Sequence, residues 1–146
     1  MKTTFVAAAT LALLSAPAFA DGHTAASGDA AAGEKAFRQC QSCHVVQDAD
    51  GNTLAGRAAK TGPNLYGVAG ATAGQVEGFR YSDGHVAAGE GGLVFDEATF
   101  VAYVQDPTAK IREVSGDSKA RSKMSFKVRK EEDAINLYAY LKSLAE

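Results

Sequence analysis

Apolar positions in this chain follow helical spacing in three places and no other regular spacing anywhere. Asp29 is placed to cap a helix over residues 30 to about 39, where Ala32, Ala36 and Phe37 mark one apolar face with Gly33 beside it. Asp96 is placed to cap a second, Glu97 to about Gln105, with Phe100, Val101 and Val104 apolar and Pro107 just past its end. The clearest stripe is the last. Glu131 and Glu132 stand near its start, Ala134, Leu137, Tyr138, Leu141 and Leu144 run along one face, and Lys142 lies near its end. Between these segments lie glycine-rich connections, 48–62, 67–78 and 82–92, which the pattern predicts to be irregular. No stretch alternates with period two over a convincing length. The expectation is a mainly α, single-domain protein with long loops.

The N-terminus has a different character. Lys2 precedes an apolar run from Phe5 to Leu14, and Ala18-Phe19-Ala20 has the form of a cleavage site. A membrane anchor needs about 20 apolar residues, and this run is shorter and ends in Pro17. Residues 1–20 are therefore expected to be an export signal, and 21–146 the mature domain in a bacterial periplasm. Composition adds a second hint. With no tryptophan and 15 glycines, the core is lean, and long loops without secondary structure of their own usually serve a function. Wrapping a large prosthetic group is one such function.

The formal net charge is −2, but it is unevenly placed. Residues 107–130 hold eight basic residues against Glu113 and Asp117, while the rest of the chain is acidic. A protein built to bind nucleic acid would be positive as a whole, so that class is excluded.

Both cysteines fall in Cys40-Gln41-Ser42-Cys43-His44. In an exported protein two cysteines would by default form a disulfide. A thioredoxin-like redox pair expects a βαβ setting, which the pattern does not offer. Zinc would need two further ligands, and beyond His44 only His23 and His85 remain, in the N-terminus and a glycine-rich loop. C-x-x-C-H is the attachment signature of c-type haem. Two intervening residues let the chain curl so that both thiols meet one edge of the ring and add to its two vinyl groups. The imidazole of the next residue then lies under the iron. Haem attached at Cys40 and Cys43 is the expectation.

With that motif placed, further blocks fall into register. Gly33-Glu-Lys-Ala-Phe37 precedes it; Thr61-Gly-Pro-Asn-Leu65 with Gly67 and Gly70, and Gly78-Phe-Arg-Tyr-Ser-Asp83, follow. Then come Tyr103 with Asp106-Pro107, Ser122-Lys-Met-Ser-Phe126, and Leu137-Tyr-Ala-Tyr-Leu141. From Gly28 to Glu146 the chain resembles the class I c-type cytochromes, most closely the bacterial periplasmic cytochrome c2 type. The resemblance implies helices and long loops wrapped around one covalent haem c. It implies His44 as proximal iron ligand, its other ring nitrogen bonded to the carbonyl of Pro63, and Met124 as distal ligand. Tyr103 would sit near the methionine sulfur, and Tyr81, with Ser82, near a haem propionate. Gly33 and Phe37 would meet Leu137 and Tyr140 where the first and last helices cross. Two positions depart from the family's habit: its common tryptophan is Phe95 here, and a frequent basic residue is Ala71. The loops after His44 and before Met124 are also longer than in the mitochondrial type.

A lone methionine is usually core filler. Met124 follows His44 by 80 residues, lies in a polar segment, and is the only methionine besides Met1. The other candidates for a sixth ligand are His85 and His23, both expected to be exposed, and Lys123. Tyr138 and Tyr140 are expected to pack. Around Met124, the cations Lys119, Arg121, Lys123, Lys127, Arg129 and Lys130 would be a solvated face in most proteins. Beside an exposed haem edge they become a docking collar for acidic partners, and charge reversal at Lys123 or Lys127 is expected to slow association most at low salt. The resemblance implies a non-enzymatic, monomeric one-electron carrier without membrane insertion. Its partners would be a cytochrome bc1-type complex and a photosynthetic reaction centre or cytochrome oxidase. The alternative is a peroxidase-like haem enzyme or gas sensor with a labile sixth ligand.

Overall fold

The computed structural model describes residues 25–146; the expected export signal and His23 lie outside the described residues. Five helices and one short hairpin are present there, and no helix among them is long and apolar enough to cross a membrane.

Helix α1 (Ala30–Phe37) starts where Asp29 accepts hydrogen bonds from the amides of Ala31, at 2.8 Å, and Ala32, at 3.2 Å. It crosses the last helix, α5 (Glu131–Ser143), at small residues. A Cβ on Gly33 would stand 2.0 Å from the Asn136 carbonyl oxygen, so only glycine allows this approach. Asn136 Oδ1 also accepts from the Asp29 amide at 2.8 Å, and Phe37 packs on Tyr140 with ring centroids 5.7 Å apart. The expected crossing is thus present, with Asn136 as an added partner. Helix α1 ends at Phe37, two residues sooner than its pattern predicts, because the chain turns there into the cysteine motif.

Two short strands and a helix arise that the pattern does not predict, the second strand and the helix within stretches expected to be irregular. Strands β1 (Val45–Gln47) and β2 (Thr53–Gly56) pair antiparallel, Val45 opposite Gly56 and Val46 opposite Ala55. Asp48 organises their turn by accepting from the amides of Asp50 and Asn52. The pairing is too short to show a two-residue period. Helix α2 (Asp83–Glu90) is capped by Ser82, whose oxygen accepts from the His85 amide at 3.3 Å. Its sequence is poor in strong helix formers, but its glycines let it pack closely. A Cβ on Gly89 would stand 2.1 Å from the Ala73 carbonyl, and one on Gly84 2.7 Å from Ala120 Cβ. Helix α3 (Glu97–Gln105) begins at Asp96 as expected, which accepts from the Thr99 amide at 2.7 Å. Pro107 does not merely follow α3: it opens a further helix, α4 (Pro107–Ser115). Asp106 ends one helix and caps the next, its carboxylate accepting from the Ala109 amide at 3.1 Å. Proline suits the first helical position because its missing N–H would be unpaired there anyway.

Phe37, Val46, Leu93, Ile111, Leu137 and Leu141 are almost wholly buried in one core. Helix α3 packs on α5, with Phe100 against Tyr138, and on α4, which in turn packs on α2. Together these elements form the walls of one large cavity.

Candidate functional site

The cavity measures about 390 Å³ and draws its walls from nearly every part of the chain. That is within the usual range of about 300–1,000 Å³ for small-molecule and cofactor sites. Leu65, Val68, Phe79, Phe95, Phe100, Leu137 and Leu141 make most of the lining apolar.

One wall is the cysteine motif. After α1 the chain curls in tight turns, the Cys43 amide donating to the Cys40 carbonyl at 3.1 Å and the His44 amide to the same carbonyl at 2.9 Å. This places Cys40, Cys43 and His44 together on the cavity. Cys40 and Cys43 are half-buried and form no disulfide with each other. Burial, with Cys43 beside it, pushes the Cys40 thiol up to about 11 while it carries no attached group.

His44 is buried, and its Nδ1 lies 2.9 Å from the Pro63 carbonyl oxygen. A carbonyl can only accept, so Nδ1 carries the proton, and the Nε2 of the neutral ring keeps its lone pair. Burial lowers the pKa of this imidazole and the Pro63 bond only partly opposes that, which favours the neutral, ligating form. Gly62 makes room for the ring. A Cβ there would stand 2.3 Å from His44 Cε1, and the Gly62 amide is tied to the Cys43 carbonyl at 2.7 Å.

Met124 lies on the cavity wall as well. Its amide donates to Ser122 Oγ at 3.0 Å, and Ser122 Oγ is 3.4 Å from the Tyr103 hydroxyl. The Ser122 amide donates in turn to Thr108 Oγ1 at 3.2 Å, anchoring this segment on α4. Ser122 therefore holds the methionine segment and Tyr103 together. Burial pushes the Tyr103 phenol up to about 12. Tyr81 also lines the cavity, its ring edge-on to Phe79 at 4.8 Å. Ser82, besides capping α2, donates from its hydroxyl to the Arg121 carbonyl at 2.7 Å.

His85 requires a correction. It is not exposed on a loop but 7% accessible, on α2, with its ring on the cavity between Tyr81 and Tyr103. The six cations of residues 119–130 are all exposed, as a docking surface needs. Two are not free agents: Lys127 pairs with Asp106 at 2.7 Å, and the Lys123 ammonium donates to the Arg80 carbonyl while lining the cavity. Phe126, 42% accessible, sits among them. A groove of about 530 Å³ runs along Gln105 and residues 125–129, shares Ser125, Phe126 and Val128 with the cavity, and is lined by no thiol, imidazole or thioether.

The donor set can be tested against a c-type haem. Two thiols spaced by two residues, an imidazole with Nε2 free, a thioether and an apolar hollow share one cavity, with Gly62 keeping the imidazole clear. These residues fit such a group. Gly62 and Ser122 are the contributors that sequence reasoning did not single out; they lie inside the blocks Thr61–Leu65 and Ser122–Phe126, which were the available signal. His85 was weighed as a ligand but expected to be exposed, and no local signal placed it on the cavity wall.

No protein-family model matches the chain. Among curated proteins it is 67% identical to cytochrome c2 of Rhodovulum adriaticum over 118 residues, covering 81% of this chain and 94% of the relative. It is 44% identical to cytochrome c2 of Rhodobacter capsulatus over 147 residues, covering 100% of both. Among solved structures, cytochrome c2 of Rhodobacter sphaeroides superposes with a TM-score of 0.78 at 57% identity, over 80% of this chain and 95% of that one. Ferric cytochrome c-550 of Paracoccus versutus superposes at 0.75, with 43% identity, over 82% and 99%.

Proposed function

The chain belongs to the cytochrome c2 family of class I c-type cytochromes, and from that premise we propose that it is a periplasmic electron shuttle whose haem iron is held between His44 and Met124. Its cofactor is one covalent haem c, for which Cys40 and Cys43 have the attachment spacing. One observation carries the ligand assignment: the C-x-x-C-H turn, with His44 Nδ1 committed to Pro63, shares a single cavity with Met124. When bound, the haem supplies a one-electron couple between ferric and ferrous iron.

The protein's own residues set how that couple behaves. His44 presents a neutral nitrogen of fixed orientation, because Pro63 and Gly62 leave the ring one position. Met124 presents a soft, weak thioether donor, which favours the ferrous state and raises the potential. With His44 and Met124 both ligating, the iron of such a haem would offer oxygen and peroxide no open site. Phe95, Phe100, Leu137 and Leu141 exclude water, and an apolar surround penalises the more highly charged ferric state. Lys119, Arg121, Lys123, Lys127, Arg129 and Lys130 steer the exposed side of the cavity to acidic docking surfaces.

The electron path runs from a cytochrome bc1-type complex to a photosynthetic reaction centre or a terminal oxidase. The test is electron-transfer kinetics of the purified holoprotein with the isolated complexes across salt concentrations. Fast second-order exchange that slows steeply as salt rises is expected. Failure to exchange electrons with any of them, or rates indifferent to salt, would overturn the assignment of partners.

A further inference from the structure

One of the two buried histidines of the cavity has no task in the account above. Tyr103 is engaged with Ser122, Ser82 with the Arg121 carbonyl, Lys123 with the Arg80 carbonyl and His44 with Pro63. The ring of His85 makes no hydrogen bond with any described residue. Yet it is more than nine-tenths buried and lines the same cavity. Among the described residues no fully buried side-chain nitrogen lacks a partner, so the ring nitrogens of His85 open onto the cavity rather than into packed core.

Its placement is well determined. Ser82 caps the helix that carries it, a Cβ added to Gly74 would stand 3.6 Å from its Cδ2, and the rings of Tyr81 and Tyr103 pack on it at 4.7 and 5.7 Å. Packing alone could be met by an apolar ring, and an imidazole buried without a partner is costly. The cavity's occupant, on the reading that it is haem, has one strongly polar feature, its two propionate carboxylates. A buried N–H facing the cavity is the natural complement to a carboxylate.

We propose that His85 donates a ring N–H to a haem propionate, and that this pair binds a proton more tightly when the iron is reduced. The linkage balances simply. One electron from the donor converts ferric to ferrous iron, removing one positive charge from the site. The pair then takes up a proton from solvent, fractionally at intermediate pH, and only an N–H or O–H bond forms. Burial by itself pushes the His85 imidazole down to about 4. A carboxylate beside it acts in the opposite direction, bringing its titration back toward the range in which histidines work as switches.

Among the neighbouring charges, the Lys123 ammonium lines the same cavity but is held to the Arg80 carbonyl. Tyr81 and Tyr103 face the ring, and burial keeps both phenols protonated. Asp83 and Glu90 of α2 are exposed, as are Glu77, Arg80 and Arg121 on the adjoining segments. On α4, Lys110 pairs with Glu113 and Arg112 donates to the Ala120 carbonyl.

The test is the midpoint potential of the holoprotein from about pH 5 to 8, for the native chain, His85→Gln and His85→Phe, with an NMR titration of the His85 ring in both oxidation states of the native protein. The native potential should fall as pH rises. His85→Gln, which keeps an N–H that does not titrate, should flatten that slope, and His85→Phe should flatten it and displace the potential at every pH. The native ring should titrate at higher pH in the ferrous state than in the ferric. A slope unchanged in both variants, or one ring pKa for both oxidation states, would overturn the proposal. If His85→Phe fails to take up haem, His85→Gln and the native titration still decide. The proposal rests on the haem reading of the cavity, whose failure shows separately: a native chain without haem-type absorption sinks that reading whatever His85 does.

Discussion

Gly62 decides where His44 can stand. A methyl group at this position would overlap the imidazole, 2.3 Å from Cε1, and the neighbouring backbone cannot yield because its amide is bonded to Cys43. Gly62→Ala should therefore displace the ring from Pro63 and lower the haem-to-protein absorbance ratio of the purified protein together with its melting temperature. A normal ratio and melting temperature would show that the ring has another place to go. Ser122 has the matching role across the cavity. Ser122→Ala leaves the Met124 amide and the Tyr103 hydroxyl without their shared partner, and should cost about 1 kcal/mol in denaturant unfolding. At this scale the sequence was most informative where chemistry needs fixed spacing. Cys40, Cys43 and His44 are adjacent in the chain and so are recognisable in it. Ser122 and His85 matter through contacts made across the fold, and nothing local distinguishes them from other serines and histidines.

Helices α1, α3 and α5 were legible because each carries an apolar stripe, and the first two begin at an aspartate cap. Helix α4 was hidden because Asp106-Pro107 reads as a stop for α3 and equally well as a start; only the Ala109 amide bonded to Asp106 settles it. Helix α2 was hidden because DGHVAAGE has little helical preference, and close packing of its glycines on Ala73 and Ala120 overrides that deficit. The α1–α5 crossing depends on Gly33. Gly33→Ala forces a Cβ onto the Asn136 carbonyl and should destabilise the fold by about 1–3 kcal/mol, read as a lower denaturant midpoint. An unchanged midpoint would mean that the two helices can separate at no cost. Asp106 gives a pH test. Lys127 and the Ala109 amide hold its carboxyl below the usual carboxylate range. Its stabilising effect is therefore complete above the unfolded carboxyl pKa and is lost as pH falls through the lower, folded value. Asp106→Asn keeps an oxygen for the Ala109 amide but does not titrate, so its stability should fall less steeply on acidification. Identical acid limbs for the two proteins would contradict this.

As a whole the molecule is a dipole in sequence, with its basic segment running past the cavity that holds the iron ligands. The structure changes the ranking of the cations within that segment. Lys127 is bound to Asp106, whereas Arg129 has no ion-pair partner among the described residues. Neutralising Arg129 to Gln should therefore slow association with an acidic partner more than Lys127→Gln, by about threefold or more at low ionic strength, and the difference should vanish at high salt. Equal effects would show that the Lys127–Asp106 pair opens on docking. The central proposal is that His44 and Met124 would both hold the haem iron, so that the protein would carry electrons and not activate small molecules. Carbon monoxide added to the native ferrous holoprotein at neutral pH tests it most directly. The native protein should give an unchanged absorption spectrum and Met124→Ala a carbon monoxide adduct, whereas prompt binding by the native protein would mean an open or labile sixth position and a different kind of haem protein.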